Sequence, residues 1–308
     1  MQAMIMAENL EQRMDALGKL LPFQEEDFYG ILKAMDGLEV TIRLLDPPLH
    51  EFLPEKDQLL VELTHLKAEG KEPAKQAALE AMLQKVRSLH ESNPMLGTRG
   101  CRLGILYPEI YRMQAKAIFQ AAARLKNEGL KPMPHVEIPL VIDQKELTIL
   151  RSAIDDEAKQ VSAIYGIELD YHVGVMLELP RACLMAGELA LESDFMTFGT
   201  NDLTQTTLGF SRDDAEGKFM SEYLQTKILK ENPFAVLDTK GVGALMEMAL
   251  ERCWTVKPGL SMGICGEHGG NPESIHYCQK IKLTFVSCSP FRVPIARLAA
   301  AQAALRQA

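Results

Sequence analysis

From about residue 136 to the C-terminus, short apolar runs alternate with longer helix-type runs, and this rhythm restricts the fold more than any other feature. Residues 136–142, 173–179, 195–199, 260–265 and 284–288 read as strands. Residues 144–165, 181–192, 242–256, 272–281 and 293–306 read as helices, with a long loop after residue 199. Strands that alternate with helices imply a parallel sheet. These strands are apolar almost throughout, as expected when both sheet faces are covered. Upstream, residues 40–44 are strand-like and are closed by Asp46-Pro47-Pro48; residues 97–103 also read as a short strand. Helices are expected over 58–69, 73–92 and 108–127, the last with Pro108 in its first turn, where proline is tolerated. The Met-rich stretch 1–14 reads as an amphipathic helix.

The later strands end in polar or small residues: Glu178, Thr200-Asn201-Asp202, Cys265-Gly266-Glu267 and Ser287-Cys288-Ser289. Function gathered at strand C-termini is the habit of a (β/α)8 TIM barrel. A doubly wound nucleotide-binding sheet has no support, because neither G-x-G-x-x-G after a strand nor G-x-x-x-x-G-K-[ST] is present. The expectation is an α/β barrel with seven strands, one short of closure. Open edges would be a liability, so either another segment fills the gap or the chain is a fragment.

Composition narrows the class. The chain has 308 residues and a net charge of −9, which argues against a nucleic-acid binder needing a basic face. No tract of 18 or more apolar residues occurs, so no membrane span is expected. Residues 1–14 carry Glu8 and Glu11 and lack a basic segment before an apolar core, unlike a secretory signal. The six cysteines form no C-x-x-C pair. Reduced thiols and a cytoplasmic enzyme are expected.

Several residues can carry chemistry. Arg43 sits in an apolar strand run and needs an anion, either a ligand or a carboxylate such as Asp46 or Glu51. Arg99 and Arg102 lie among glycines, in a phosphate- or carboxylate-binding loop or in a solvated turn. Glu178 and Asp202, at two successive strand ends, can grip one hard cation; Mg2+ commonly takes one or two carboxylates. The competing reading makes Asp202 the N-cap of a helix beginning near Leu203. Cys265 closes a strand before Gly266-Glu267-His268-Gly269-Gly270, as a nucleophile, a proton donor or a small buried hydrophobe. His268 reads as a loop hydrogen-bonding residue.

The chain resembles the C-terminal phosphoenolpyruvate/pyruvate-binding barrel of the pyruvate, phosphate dikinases. The resemblance rests on Leu20–Gln24, Thr41–Phe52, Gly97–Arg102, Glu178–Ala182, Phe198–Thr207, Phe210–Asp214, Gly263–Gly270 and Ser287–Leu305, and so covers nearly the whole chain. The wider family includes phosphoenolpyruvate synthase and enzyme I of the sugar phosphotransferase system. It implies one barrel domain over residues 1–308 and a transferase that moves a phosphoryl group between phosphoenolpyruvate and a phosphohistidine. Glu178 and Asp202 would hold Mg2+. Arg43 and Arg99 would hold the phosphoryl group. Gly199, Thr200, Asn201, Asp202 and Arg212 would bind the substrate. Cys265 would protonate the enolate at C3, with a thiol pKa near the ordinary ~8.5 serving either direction. The family's C-terminal domain also dimerises, so a homodimer is expected.

The departures are equally specific. No histidine here lies in a sequence like the family's phosphohistidine domain, and no Gly-rich nucleotide segment is present. The family's R-T-E-H-M strand is absent. Thr98 stands where the dikinases usually have His, and Asn271 where they usually have Asp. A non-catalytic binding or dimerisation module is the alternative.

Overall fold

The computed structural model describes every residue except Pro47, Pro48, Lys71 and Ala308, and leaves the side chains of Leu49, His50 and Gln307 undescribed. The Pro47-Pro48 stop after the first strand therefore lies outside the described residues. The chain divides into two compact units.

The first unit comprises residues 1–38, 45–132 and 156–169 and is helical. Helix Leu10–Ala34, capped by the Asn9 side chain, packs on helix Pro108–Asn127. The latter buries Ile110, Ala117, Ile118, Ala121 and Leu125, a stripe at helical spacing. Ion pairs Arg13–Glu109 and Arg124–Glu25 border the contact at 3.1 and 2.7 Å. Residues 97–103, expected as a strand, instead enter helix Cys101–Leu106. The reason is local: Gly100 takes φ +55° and turns the chain directly into the helix. A short apolar run cannot by periodicity alone be told from buried helix.

The second unit, residues 39–44, 133–155 and 170–308, holds the sheet. Its strands are β1 (Glu39–Arg43), β2 (Met133–Ile138), β3 (His172–Leu177), β4 (Phe195–Gly199), β5 (Ser261–Cys265) and β6 (Phe285–Val286). They are all parallel and lie in the order β1-β2-β3-β4-β5-β6. The order never reverses, so there is no switch point of the doubly wound kind. This is the winding of a (β/α) barrel, present as a partial barrel of six strands rather than seven or eight among the described residues. The long loop expected after β4 contains helices Thr200–Leu208, Arg212–Lys218 and Met220–Gln225.

Alternate strand residues divide between two faces. Val136, Ile138, Val173, Val175, Leu177, Met196, Phe198, Met262 and Ile264 are fully buried on one. The other carries Arg43, Glu137, Gly174, Met176, Phe195, Thr197, Gly199, Gly263 and Cys265. Contacts confirm that these share a face. A Cβ at Gly174 would lie 2.5 Å from the Phe195 ring, and one at Gly263 would lie 2.2 Å from Phe285. The strands' polar side chains Arg43, Glu137, Thr197 and Cys265 gather on this second face.

Candidate active site

Cys265 ends β5 and is the centre of the site. Its Sγ reaches the Phe198 carbonyl oxygen at 3.6 Å, a weak S–H donor contact. Burial pushes its thiol pKa well above the ordinary value, and the carboxyls of Glu137, Glu178 and Asp202 push it further; Arg43 opposes them and is outweighed. The thiol therefore keeps its proton at neutral pH. It is a proton donor in waiting rather than the evenly balanced acid and base expected from an unperturbed cysteine.

Glu178 directly follows β3 and is 1% exposed. Its Oε1 accepts a 2.6 Å hydrogen bond from the Leu140 amide. Leu140 adopts φ +62°, a region that costs a branched side chain energy, and this backbone turns its N–H onto the carboxylate. A Cβ at Gly199 would lie 2.8 Å from Glu178 Oε2, so the space beside that carboxylate stays open only because residue 199 is glycine. Asp202 lies in the first turn of helix Thr200–Leu208, whose N-cap is Gly199. Asp202 is thus not the cap. It sits in the helix's positive end, which stabilises an acid there.

Thr200 ties the β4 and β5 ends together. Its hydroxyl lies 3.0 Å from the Cys265 carbonyl oxygen and 2.7 Å from His268 Nδ1. His268 Nε2 lies 2.8 Å from the Pro233 carbonyl, so Nε2 carries the hydrogen and Nδ1 accepts. The one Thr200 hydroxyl proton is shared between two acceptors. Burial lowers the His268 pKa, which keeps the ring neutral. His268 is the hydrogen-bonding loop residue that its sequence setting implies. Asn201 Oδ1 accepts from the Glu267 amide at 3.3 Å, and Gly266, at φ +102°, leaves room for it.

Arg43, exposed at the end of β1, is the register partner of Glu137 on β2. The charged groups acting on Cys265 all belong to the second unit. Arg99 belongs to the first, where its guanidinium is bidentate on Asp46, Nε to Oδ1 at 3.1 Å and Nη2 to Oδ2 at 2.6 Å. Asp46, one of two sequence candidates to pair Arg43, is thus engaged by Arg99. Arg212 has Glu216 at 3.6 Å and stacks over Phe234 at 5.9 Å.

Sequence reasoning missed Glu137. It is 2% exposed, and burial pushes its carboxyl pKa up to about 7; Thr197 and Arg43 act in the opposite sense and are outweighed. The signal was present, an acid inside an apolar strand run, and is the one that singled out Arg43. Between about 4.5 and 7 the folded chain holds a proton that the unfolded chain has lost. This contribution to stability is complete below about 4.5 and is lost as pH rises through 7, on the order of 3 kcal/mol. Glu137→Gln should remove that loss. Urea unfolding at pH 5 and pH 8 should show the variant gaining on the parent at the higher pH. The same pH dependence in both proteins would contradict burial of an ionisable carboxyl.

The family profile for the PEP-utilising enzyme, PEP-binding domain, matches residues 2–305. The chain belongs to the phosphoenolpyruvate-utilising enzymes. It is 54% identical over 301 residues to the chloroplastic pyruvate, phosphate dikinase of Mesembryanthemum crystallinum, covering 97% of this chain and 31% of that protein. It is 50% identical over 303 residues to the pyruvate, phosphate dikinase of Clostridium symbiosum, covering 98% and 34%. The chain thus spans about a third of the length of the curated relatives it matches. No helix among the described residues is long and apolar enough to cross a membrane.

Proposed function

We propose that this chain is the phosphoenolpyruvate/pyruvate-binding catalytic part of a pyruvate, phosphate dikinase. The observation that carries this reading is Cys265, a half-buried thiol held protonated, with Glu137, Glu178, Asp202 and Arg43 acting on it at the strand C-termini. The chemistry divides among the residues. Arg43 offsets negative charge on the phosphoryl group as it leaves phosphoenolpyruvate for a phosphohistidine supplied by a domain outside this sequence. The backbone amides at the start of helix Thr200–Leu208 offer hydrogen bonds to the substrate's anionic oxygens. Loss of the phosphoryl group leaves an enolate, and Cys265 gives its proton to C3, forming pyruvate.

Glu178 and Asp202 fit a divalent cation. They are hard oxygen donors, one with open space kept by Gly199. Among the described residues no group of three or more His, Cys, Asp or Glu forms a fuller cage. Two carboxylates with the remaining positions left to water and substrate suit Mg2+. Such an ion would supply positive charge beside the enolate and carboxylate oxygens. Asp202→Ala is expected to abolish Mg2+-dependent binding of oxalate, an enolate mimic, in isothermal titration calorimetry. Undiminished Mg2+-dependent binding would sink the metal assignment.

The reading includes a homodimer. Helix Val293–Gln307 buries Ala296, Ala299 and Ala303, the first two packed with Ile275, while Ile295, Leu298 and Leu305 are exposed, continuing from Phe291 at 94% exposure. These residues recur at helical spacing and form one apolar stripe, the kind of surface a second copy covers. Leu298→Glu with Phe291→Asp should convert a dimer to a monomer in sedimentation equilibrium. An unchanged dimer mass in that variant would place the interface elsewhere.

A further inference from the structure

We propose that His268 is a positioning residue for the proton transfer: it holds Thr200, and through Thr200 the substrate-binding start of helix Thr200–Leu208, against the strand end that carries Cys265. The role rests on the phosphoenolpyruvate reading above. The His268 imidazole joins three segments of the chain. Its Nδ1 lies 2.7 Å from the Thr200 hydroxyl, 68 positions away, and its Nε2 lies 2.8 Å from the Pro233 carbonyl oxygen, 35 positions away. The Thr200 hydroxyl also reaches the Cys265 carbonyl oxygen at 3.0 Å. A continuous path of hydrogen bonds thus runs from Pro233 through His268 and Thr200 to the residue that bears the thiol. His268 and Thr200 are both fully buried, so losing one partner leaves the other unsatisfied.

Both ends of the imidazole's contacts are braced. The Pro233 carbonyl is presented by a turn in which the Ala235 and Val236 amides donate to the Asn232 carbonyl, each at 3.0 Å. Phe234, the next residue, is anchored in a buried cluster with Ala215 and Met220. His268 itself lies in the turn Glu267–Gly270, where the Asn271 amide donates to the His268 carbonyl at 3.0 Å. Asn271 then caps helix Pro272–Lys280 by accepting from the Ser274 amide at 2.9 Å. An imidazole on so fixed a loop, with both nitrogens engaged, has one orientation. A ring that only filled space would need neither nitrogen. A second bridge runs beside it, from the Glu267 amide to Asn201 Oδ1 at 3.3 Å. The first two residues of the helix are therefore both tied to the loop that follows β5, which holds substrate and thiol in one frame. A displacement of about 1 Å between such groups can cost about 10²-fold in rate.

The test is exchange of pyruvate methyl protons for deuterium, followed by NMR with the full chain and Mg2+, beside urea unfolding of each variant. His268→Gln keeps a donor near the Nε2 position, for Pro233, and loses the acceptor that faces Thr200. His268→Asn keeps an acceptor near the Nδ1 position and gives up Pro233. His268→Gln should lower kcat for exchange by about 10²-fold, with the pyruvate KM changed by less than about twofold. His268→Asn should recover most of that loss without being the more stable of the two. A parental kcat in His268→Gln, or equal kcat losses in the two variants, would overturn this proposal alone. Thr200→Val breaks the same link from the other side. It should lose kcat to a similar extent, with no further loss when combined with His268→Gln; additive losses would count against the link. Should His268→Gln fail to fold, a parental kcat in Thr200→Val would overturn the proposal by itself. No exchange in the unsubstituted chain would overturn the phosphoenolpyruvate reading and this proposal with it.

Discussion

Asp46→Ala is expected to destabilise the first unit by about 3–5 kcal/mol, the loss typical when one partner of a buried ion pair is removed. The Arg99 and Asp46 side chains are 5% and 3% exposed, and their two parallel hydrogen bonds take both Asp46 oxygens. Removing the carboxylate leaves the guanidinium where water cannot repay its charge. Arg99 Nη1 also donates to the Met95 carbonyl at 3.3 Å, but that neutral acceptor supplies no compensating charge. The double variant Asp46→Leu with Arg99→Met should cost much less than the single change, because no buried charge remains. A double-mutant cycle by urea unfolding reads the coupling directly. Additive losses would mean that the pair is not coupled in solution.

The second large effect is catalytic. Cys265→Ala should lower pyruvate methyl exchange by about 10²–10⁴-fold, the range a positioned acid–base group contributes. Mg2+-dependent oxalate binding should survive, since Glu178, Asp202 and Arg43 are untouched. Cys265→Ser should fare little better than alanine, because a hydroxyl is a far weaker acid than a thiol. The replaced thiol makes only one weak hydrogen bond, to the Phe198 carbonyl, so neither variant should unfold the sheet. Retained exchange in Cys265→Ala would move the proton chemistry to another group.

Much of this was readable from the chain, for a physical reason. The strands of the second unit are apolar and bounded by polar ends, so their positions were legible. The helices at 144–165 and 242–256 matched the structure to the residue. What failed was what depends on partners far away in sequence. Residues 97–103 look like a strand until Gly100 turns the chain into a helix. Asp46 also accepts two hydrogen bonds from Arg99, 53 positions away, which no local pattern shows. Asp202 reads as a helix cap only if the helix starts at Leu203; its start at Thr200 places the acid inside the first turn. The His268–Thr200 link spans 68 positions and leaves no local trace. The pKa of Cys265 was misjudged because three acids from β2, the end of β3 and the helix after β4 meet it only in the folded sheet.

In the proposed function, Cys265, Glu178, Asp202 and Arg43 act as one site that handles pyruvate and its enolate. The most direct measurement is the deuterium content of pyruvate after incubation with the unsubstituted chain and Mg2+ in deuterated water. Progressive methyl deuteration is expected, stopping when Mg2+ is chelated and blocked by oxalate. Pyruvate that binds, stays fully protonated at C3 and is indifferent to Mg2+ would contradict it.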